Sequence, residues 1–194
     1  MGGRHINGGG ATLLLAGLIL SLMACSDKNA DGATLEPAES IVRASLTGAD
    51  NSSYGEVIIG EGDGGLIVQI NAEGLAPGPR GVHIHQVGKC EGPDFKSAGG
   101  HWNPSEKEHG FDNPNGAHMG DFFNLDIGED GRGSLEAKIE GASLKDGANA
   151  LMDADGAAFV VHAGPDDLAT DPSGESGGRI ACGVFEIQRF ESAQ

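Results

Sequence analysis

The chain has 194 residues with 12 Lys and Arg against 29 Asp and Glu, and its formal net charge of −17 argues against a nucleic-acid partner, which would be repelled. That length accommodates one domain of ordinary size, or at most two small ones, with a core that requires no dense disulfide framework, and one domain is expected. Its 34 glycines, well above the usual share of about 7 % and without a three-residue period, exclude collagen and point to many turns rather than long helices.

Arg4 and His5 precede a small and apolar run over residues 11–24, shorter than the roughly 20 residues that span a bilayer, and this pattern reads as an export signal. Leu22-Met23-Ala24-Cys25 resembles the lipobox of bacterial lipoproteins, in which the cysteine carries lipid and begins the mature chain. The alternative is an ordinary signal with an incidental cysteine. With Ser26 next, the resemblance implies periplasmic exposure on a lipid anchor in an outer membrane, with no other contact to the bilayer. The expected organisation is a signal over residues 1–24, a flexible tether poor in apolar residues over 25–38, and one domain over 39–194. If Cys25 is lipidated, Cys90 and Cys182 remain, and in an exported protein such a pair is more simply a disulfide than two free thiols.

From Ile41 onward, short alternating runs are separated by glycine clusters, the pattern of antiparallel strands and turns. Strands are expected at 40–46, 55–59, 66–72 and 81–85, then at 133–139, 150–152, 158–162 and 180–187, with turns at 61–65 and 129–131. Eight short strands imply an all-β sandwich or small barrel. Between the fourth and fifth lies a stretch of about 45 residues with few apolar positions, far beyond the ordinary loop length of a compact domain. It contains Cys90, His101, His109, His118 and Asp121, and a disulfide and a metal ion would order it where its own side chains could not. A shorter irregular stretch over 164–178 holds Asp166 and Asp167 and leads to Arg179.

Of seven histidines, one lies in the signal and five of the remaining six fall between His83 and His118. His83 and His85 are two apart in a strand-like segment, so both rings face one side while Val82 and Ile84 face the other. A lone His-x-His is ordinarily a polar surface feature; here it does not stand alone. His101, His109, His118 and Asp121 supply three imidazoles and a carboxylate, the complement of a closed tetrahedral zinc site with a structural role. His162 ends a strand and could join His83 and His85, and an all-imidazole site that must change oxidation state favours copper over zinc.

The segments Gly81-Val82-His83-Ile84-His85, Gly100-His101-Trp102-Asn103-Pro104, His109-Gly110, His118-Met119-Gly120-Asp121, Val160-Val161-His162 and Gly178-Arg179-Ile180-Ala181-Cys182-Gly183-Val184 resemble the copper,zinc superoxide dismutase family in its exported bacterial branch. The resemblance runs from about Ile41 to Ile187. It implies an eight-stranded antiparallel Greek-key barrel with long metal-binding loops, holding one copper and one zinc per chain. His83, His85, His101 and His162 would bind copper, and His101, His109, His118 and Asp121 would bind zinc, with His101 bridging the two metals. The resemblance pairs Cys90 with Cys182 and sets Asp166 between His83 and His109 to orient both rings. The activity implied is disproportionation of superoxide to dioxygen and hydrogen peroxide, with His101 passing a proton and Arg179 attracting the anion. Because the whole chain is acidic, a local positive channel has to overcome its net charge.

Gln86 stands where many members carry Glu, Trp102 where Phe is usual, and residues 170–178 lack the lysine and glutamate pattern of the longer eukaryotic loop. The resemblance admits a homodimer as well as a monomer. A non-enzymatic copper and zinc carrier on the same scaffold is the main competing reading. A plain structural or adhesive β-domain would explain the strands but not the placement of six histidines.

Overall fold

The computed structural model describes residues 40–189, so the expected export signal, Cys25 and the tether lie outside the described residues. Among the described residues no helix is long and apolar enough to cross a membrane. Three strands open the domain, β1 (Ser40–Thr47), β2 (Ser53–Gly62) and β3 (Gly65–Ala72), and each alternates buried and exposed side chains for much of its length. Alternation turns one face inward, as period two requires. With β7 (Gly133–Glu140) they form an antiparallel sheet whose register aligns Val42 with Ile59, Ile59 with Val68, and Val68 with Ala137. Rows of this kind make the barrel core, and each fully buried aliphatic side chain in them contributes roughly 1.5 to 3 kcal/mol.

The other half is different in kind. The strands β5 (Val82–His85) and β8 (Ala158–His162) are buried at every residue. They pair with each other, and β8 pairs with β9 (Arg179–Val184). Val82, Ile84, Phe159, Val161 and Ala181 face the main core, whereas Ala158, Val160 and Cys182 face a second cluster with Phe95 and Ala98 from the long loop. A loop thus covers the outer face of this half-sheet, and that is why alternation of burial disappears here.

The halves join at β1, where Thr47 aligns with Cys182 and β10 (Glu186–Arg189) pairs antiparallel. The resulting order is β5-β8-β9-β1-β2-β3-β7, with β10 also on β1. Strands that follow one another within this sheet, such as β3 and β5, therefore lie apart, as Greek-key crossing connections require. The small strands β4 (Gly78–Arg80) and β6 (Leu125–Ile127) form a separate pair.

Several expectations need correction in detail. Residues 150–152 form no strand: Ala150 makes only an isolated bridge with Ser143, and Leu151 and Met152 donate backbone bonds to Ser143 and Leu144. Leu151 is buried, so its apolarity reflects packing of a loop rather than a sheet. The expected strand at 180–187 is two strands, interrupted at Phe185, whose N–H bonds Ala157 instead. The long loop contains β6, and β4 was not expected; both are three residues long, too short for an alternation to register.

Candidate metal centre

The long loop is held against β5 by backbone hydrogen bonds. Ile84 N–H donates to Gly120 O at 2.9 Å and Trp102 N–H donates to Ile84 O at 2.8 Å. His85 aligns with His101 and His83 with Asp121 in isolated bridges. Gly120 has to be glycine, because a Cβ there would lie 2.4 Å from Ile84 O. This docking carries His101 and Asp121 over the outer face of β5, where His83 and His85 point. His162 arrives from the end of β8, directly opposite Arg179 across the ladder.

The six histidines of the described residues and Asp121 are buried within one cluster. The rings of His83 and His101 stack with centroids 3.9 Å apart. Ligand-type atoms of His83, His85, His101 and His162 all lie within 4.8 Å of one another, as do those of His83, His101, His109 and Asp121. His118 adjoins the second set, its Nδ1 lying 3.2 Å from Asp121 Oδ1 and 3.4 Å from His101 Nδ1. Asp121 is the hub of that side: Oδ1 accepts from His101 Nδ1 at 2.8 Å, and Oδ2 accepts the backbone N–H of Gly110 and of His118.

The outward hydrogen bonds set the tautomers. His83 donates through Nε2 to Asp166 Oδ2 at 2.6 Å, His85 through Nδ1 to Gly99 O at 3.0 Å, and His162 through Nδ1 to Gly177 O at 3.1 Å. A ring that donates outward through one nitrogen offers the lone pair of the other inward. Those inward atoms, His83 Nδ1, His85 Nε2 and His162 Nε2, together with His101 Nε2, are buried without a hydrogen-bond partner among the described residues. Orphaned buried polar atoms are costly in an ordinary core. Four converging imidazole lone pairs fit a bound copper ion, which supplies the partner each nitrogen lacks. The three imidazoles and one carboxylate around Asp121 fit zinc.

Protonation follows the same geometry. Burial, reinforced by the neighbouring rings, pushes His83 down to about 3 despite the Asp166 carboxylate, and holds His162 at about 4. Burial lowers His85 and His101 as well. Burial also opposes charge on His109, but Asp121 and Asp166 on either side raise it to about 9. Asp121 and Asp166 are desolvated too, yet their hydrogen bonds to the rings hold both below the usual carboxylate range. His83, His85, His101 and His162 are therefore neutral at physiological pH, the state that ligates a metal.

Asp166 spans His83 and His109, with Oδ1 accepting from His109 Nε2 at 3.0 Å. Asp167, by contrast, is exposed and closes a turn through Thr170. Arg179 is half-buried and donates to Phe95 O at 2.8 Å and Gly99 O at 2.7 Å. Its side chain lines an open cavity of about 660 Å³ together with His101, His118 and His162. Burial lowers the pKa of Arg179, from a value so high that the charge remains. Cys90 and Cys182 form a disulfide with a Cα separation of 5.7 Å, tying the loop that contains Phe95 and Gly99 to β9.

Sequence reasoning did not find Asn124. Its side chain donates to Asp166 O at 2.8 Å and accepts from Asp166 N–H at 2.7 Å, a two-point clamp 42 residues away along the chain. No local pattern marks such a pair. The carbonyls of Phe95, Gly99 and Gly177 were equally invisible, because backbone acceptors have no residue-type signature.

Fold and cluster together define an all-β metalloprotein with a buried polyhistidine centre. Residues 53–185 match the family described as copper/zinc superoxide dismutase (SODC). The superoxide dismutase-like protein YojM of Bacillus subtilis is 40 % identical over 184 residues, covering 89 % of this chain and 94 % of that protein. A Cu-Zn superoxide dismutase of Caulobacter vibrioides is 40 % identical over 152 residues, covering 77 % and 85 %. Among solved structures, a SOD-like protein from Bacillus subtilis matches with a TM-score of 0.70 at 42 % identity, covering 73 % of this chain and 96 % of that one. The clock protein EA4 matches at 0.65 and 32 % identity, covering 78 % and 96 %. The chain belongs to the copper/zinc superoxide dismutase family. It is an oxidoreductase of that family, with copper and zinc as cofactors.

Proposed function

We propose that the protein is a superoxide dismutase, converting two superoxide anions and two protons to dioxygen and hydrogen peroxide. His83, His85, His101 and His162 would hold copper, and His101, His109, His118 and Asp121 would hold zinc, so that His101 belongs to both sets. The observation that carries this reading is the set of four unpaired imidazole nitrogens converging beside a charged arginine at an open cavity. Copper, when bound, supplies the one-electron exchange with superoxide.

The chain's own residues do the rest. Arg179 presents guanidinium N–H groups to the cavity and binds the small anion, offsetting locally the repulsion of a chain with net charge −17. Because two carbonyls of the disulfide-tethered loop hold that guanidinium, little rotamer freedom remains to be lost on binding. His101, its Nδ1 held by Asp121, would take up a proton at Nε2 when no metal occupies that nitrogen and give it to the reduced substrate. Asp166 fixes His83 and His109 through both carboxylate oxygens.

The disulfide accords with an exported protein. We assign residues 1–24 to a signal, Cys25 to a lipid anchor on the outer membrane, 25–38 to a tether, and 39–194 to the catalytic domain. Mass spectrometry of the cellular protein tests the anchor: an unmodified Cys25 would refute it. For the activity, purified protein reconstituted with copper and zinc is assayed by pulse radiolysis, with sedimentation of the same sample to give the oligomeric state. Turnover with both metals, abolished in His162→Ala, is expected. Stable metal binding without turnover would make the protein a carrier, and failure to bind either metal would refute both readings.

A further inference from the structure

In this cluster the rings are held from outside as well as from within. His83 and His109 donate their outer nitrogens to Asp166, His85 to Gly99 O, and His162 to Gly177 O. His101 has no outer nitrogen, since both of its nitrogens face the cluster. His118 is the remaining ring. Its Nδ1 faces Asp121 and His101, and its Nε2 faces outward, 3.9 Å from Asp171 Oδ1. The same Asp171 oxygen accepts the backbone N–H of His109 at 2.8 Å.

Asp171 is presented by a braced turn. The Asp167 carboxylate accepts from the backbone N–H of Ala169 and of Thr170 and from the Thr170 hydroxyl. Asp112 N–H donates to Leu168 O at 2.8 Å, which fastens the same segment to the loop carrying His109. One carboxylate oxygen thus sits between two of the residues assigned to zinc, on a segment both loops hold in place.

We propose that Asp171 is a positioning residue for the zinc side of the centre: its carboxylate fixes the backbone at His109 and receives the outer ring N–H of His118 when zinc is bound. The proposal rests on the assignment of His109 and His118 to zinc made above. The gap from 3.9 Å to a hydrogen bond of about 2.7 to 3.2 Å is closed by a side-chain movement near 1 Å, and Asp171, half exposed, has room to make it. A carboxylate behind a ligating imidazole fixes the ring and raises its basicity, and loss of such a partner typically weakens metal affinity by roughly 10- to 100-fold. The exposure of Asp171 places this case at the lower end.

The test uses disulfide-intact protein with copper bound, titrated with zinc against a chelator, in the parent and in Asp171→Asn and Asp171→Ala. Asparagine keeps an oxygen for His109 N–H and removes the charge facing His118; alanine removes both. The expected result is about a tenfold loss of zinc affinity in Asp171→Ala and a smaller loss in Asp171→Asn. Cobalt(II) placed at the zinc position should show altered d–d bands in both variants, while the unfolding midpoint of the metal-free protein stays within about 2 °C of the parent. Zinc affinities within twofold of the parent would overturn the proposal. So would an equal loss of midpoint in metal-free and zinc-loaded protein, the mark of a loop brace with no bearing on the metal. A parent that binds no zinc would overturn the metal-centre reading itself, and with it the role of Asp171.

Discussion

Reducing the Cys90–Cys182 bridge opens a chain loop defined by a separation of 92 residues. In the chain-entropy treatment, a loop of that size corresponds to roughly 4.6 kcal/mol at 25 °C, a ceiling from which strain and residual unfolded structure subtract. For a domain of this size, each kcal/mol moves the midpoint by about 2 to 4 °C, so the ceiling corresponds to a fall of roughly 9 to 18 °C. The effect on the site is more specific. Arg179 is anchored on Phe95 O and Gly99 O, both in the segment that the bridge tethers, and Phe95 and Ala98 cover the outer face of β8 and β9. Without the bridge this cover loosens, so Arg179 loses its orientation before the barrel loses its core. Calorimetry with and without a phosphine reductant, with copper retention and superoxide turnover measured on the same samples, tests the sequence of events. Turnover and copper retention should fall at temperatures where the far-ultraviolet signal of the barrel is intact. A midpoint within 2 °C of the oxidised protein, with unchanged turnover, would refute the reasoning.

Replacing Arg179 with isoleucine should lower kcat/KM at least tenfold at low salt, about 1.4 kcal/mol of transition-state stabilisation, with copper content unchanged; full turnover would exclude the steering role. Metal-free protein should lose stability as the pH falls below about 6.5, because unfolded histidines take up protons there while His83 and His162 stay neutral down to about 3 and 4. His109 acts in the opposite sense, since its raised value of about 9 contributes stability that is full below 6.5 and lost as the pH rises through 9. Urea midpoints across this range should therefore peak near neutrality, and a flat profile would contradict the burial argument. Gly110→Ala should destabilise by at least about 2 kcal/mol, because Gly110 has φ +96° and a Cβ would sit 2.1 Å from Leu168 O; chemical denaturation measures this, and an unchanged midpoint would count against it.

Much of this was legible in the linear chain, and for definite reasons. A strand period of two set His83 and His85 on one face and Val82 and Ile84 on the other, and the structure has the valine and isoleucine in the barrel core. The loop over residues 86–132 stood out by its length and polarity. Strands with one solvated face, such as β1 and β3, display their alternation openly, whereas residues 150–152 combine a strand-like apolar composition with an irregular backbone. Short apolar runs have no period to read.

Residue type and spacing alone determined which side chains could hold metal, because imidazole and carboxylate chemistry belongs to the residue and not to its surroundings. Only the tertiary structure decided which nitrogen of each ring turns inward, since Asp166, Gly99 O and Gly177 O select it from up to 83 residues away. The same holds for Asn124 behind Asp166, for the two carbonyls that aim Arg179, and for Asp171 beside His109. A hydrogen bond depends on distance and direction in space, and the loops that bring these partners together are ordered by the contacts themselves, so separation along the chain carries no trace of them.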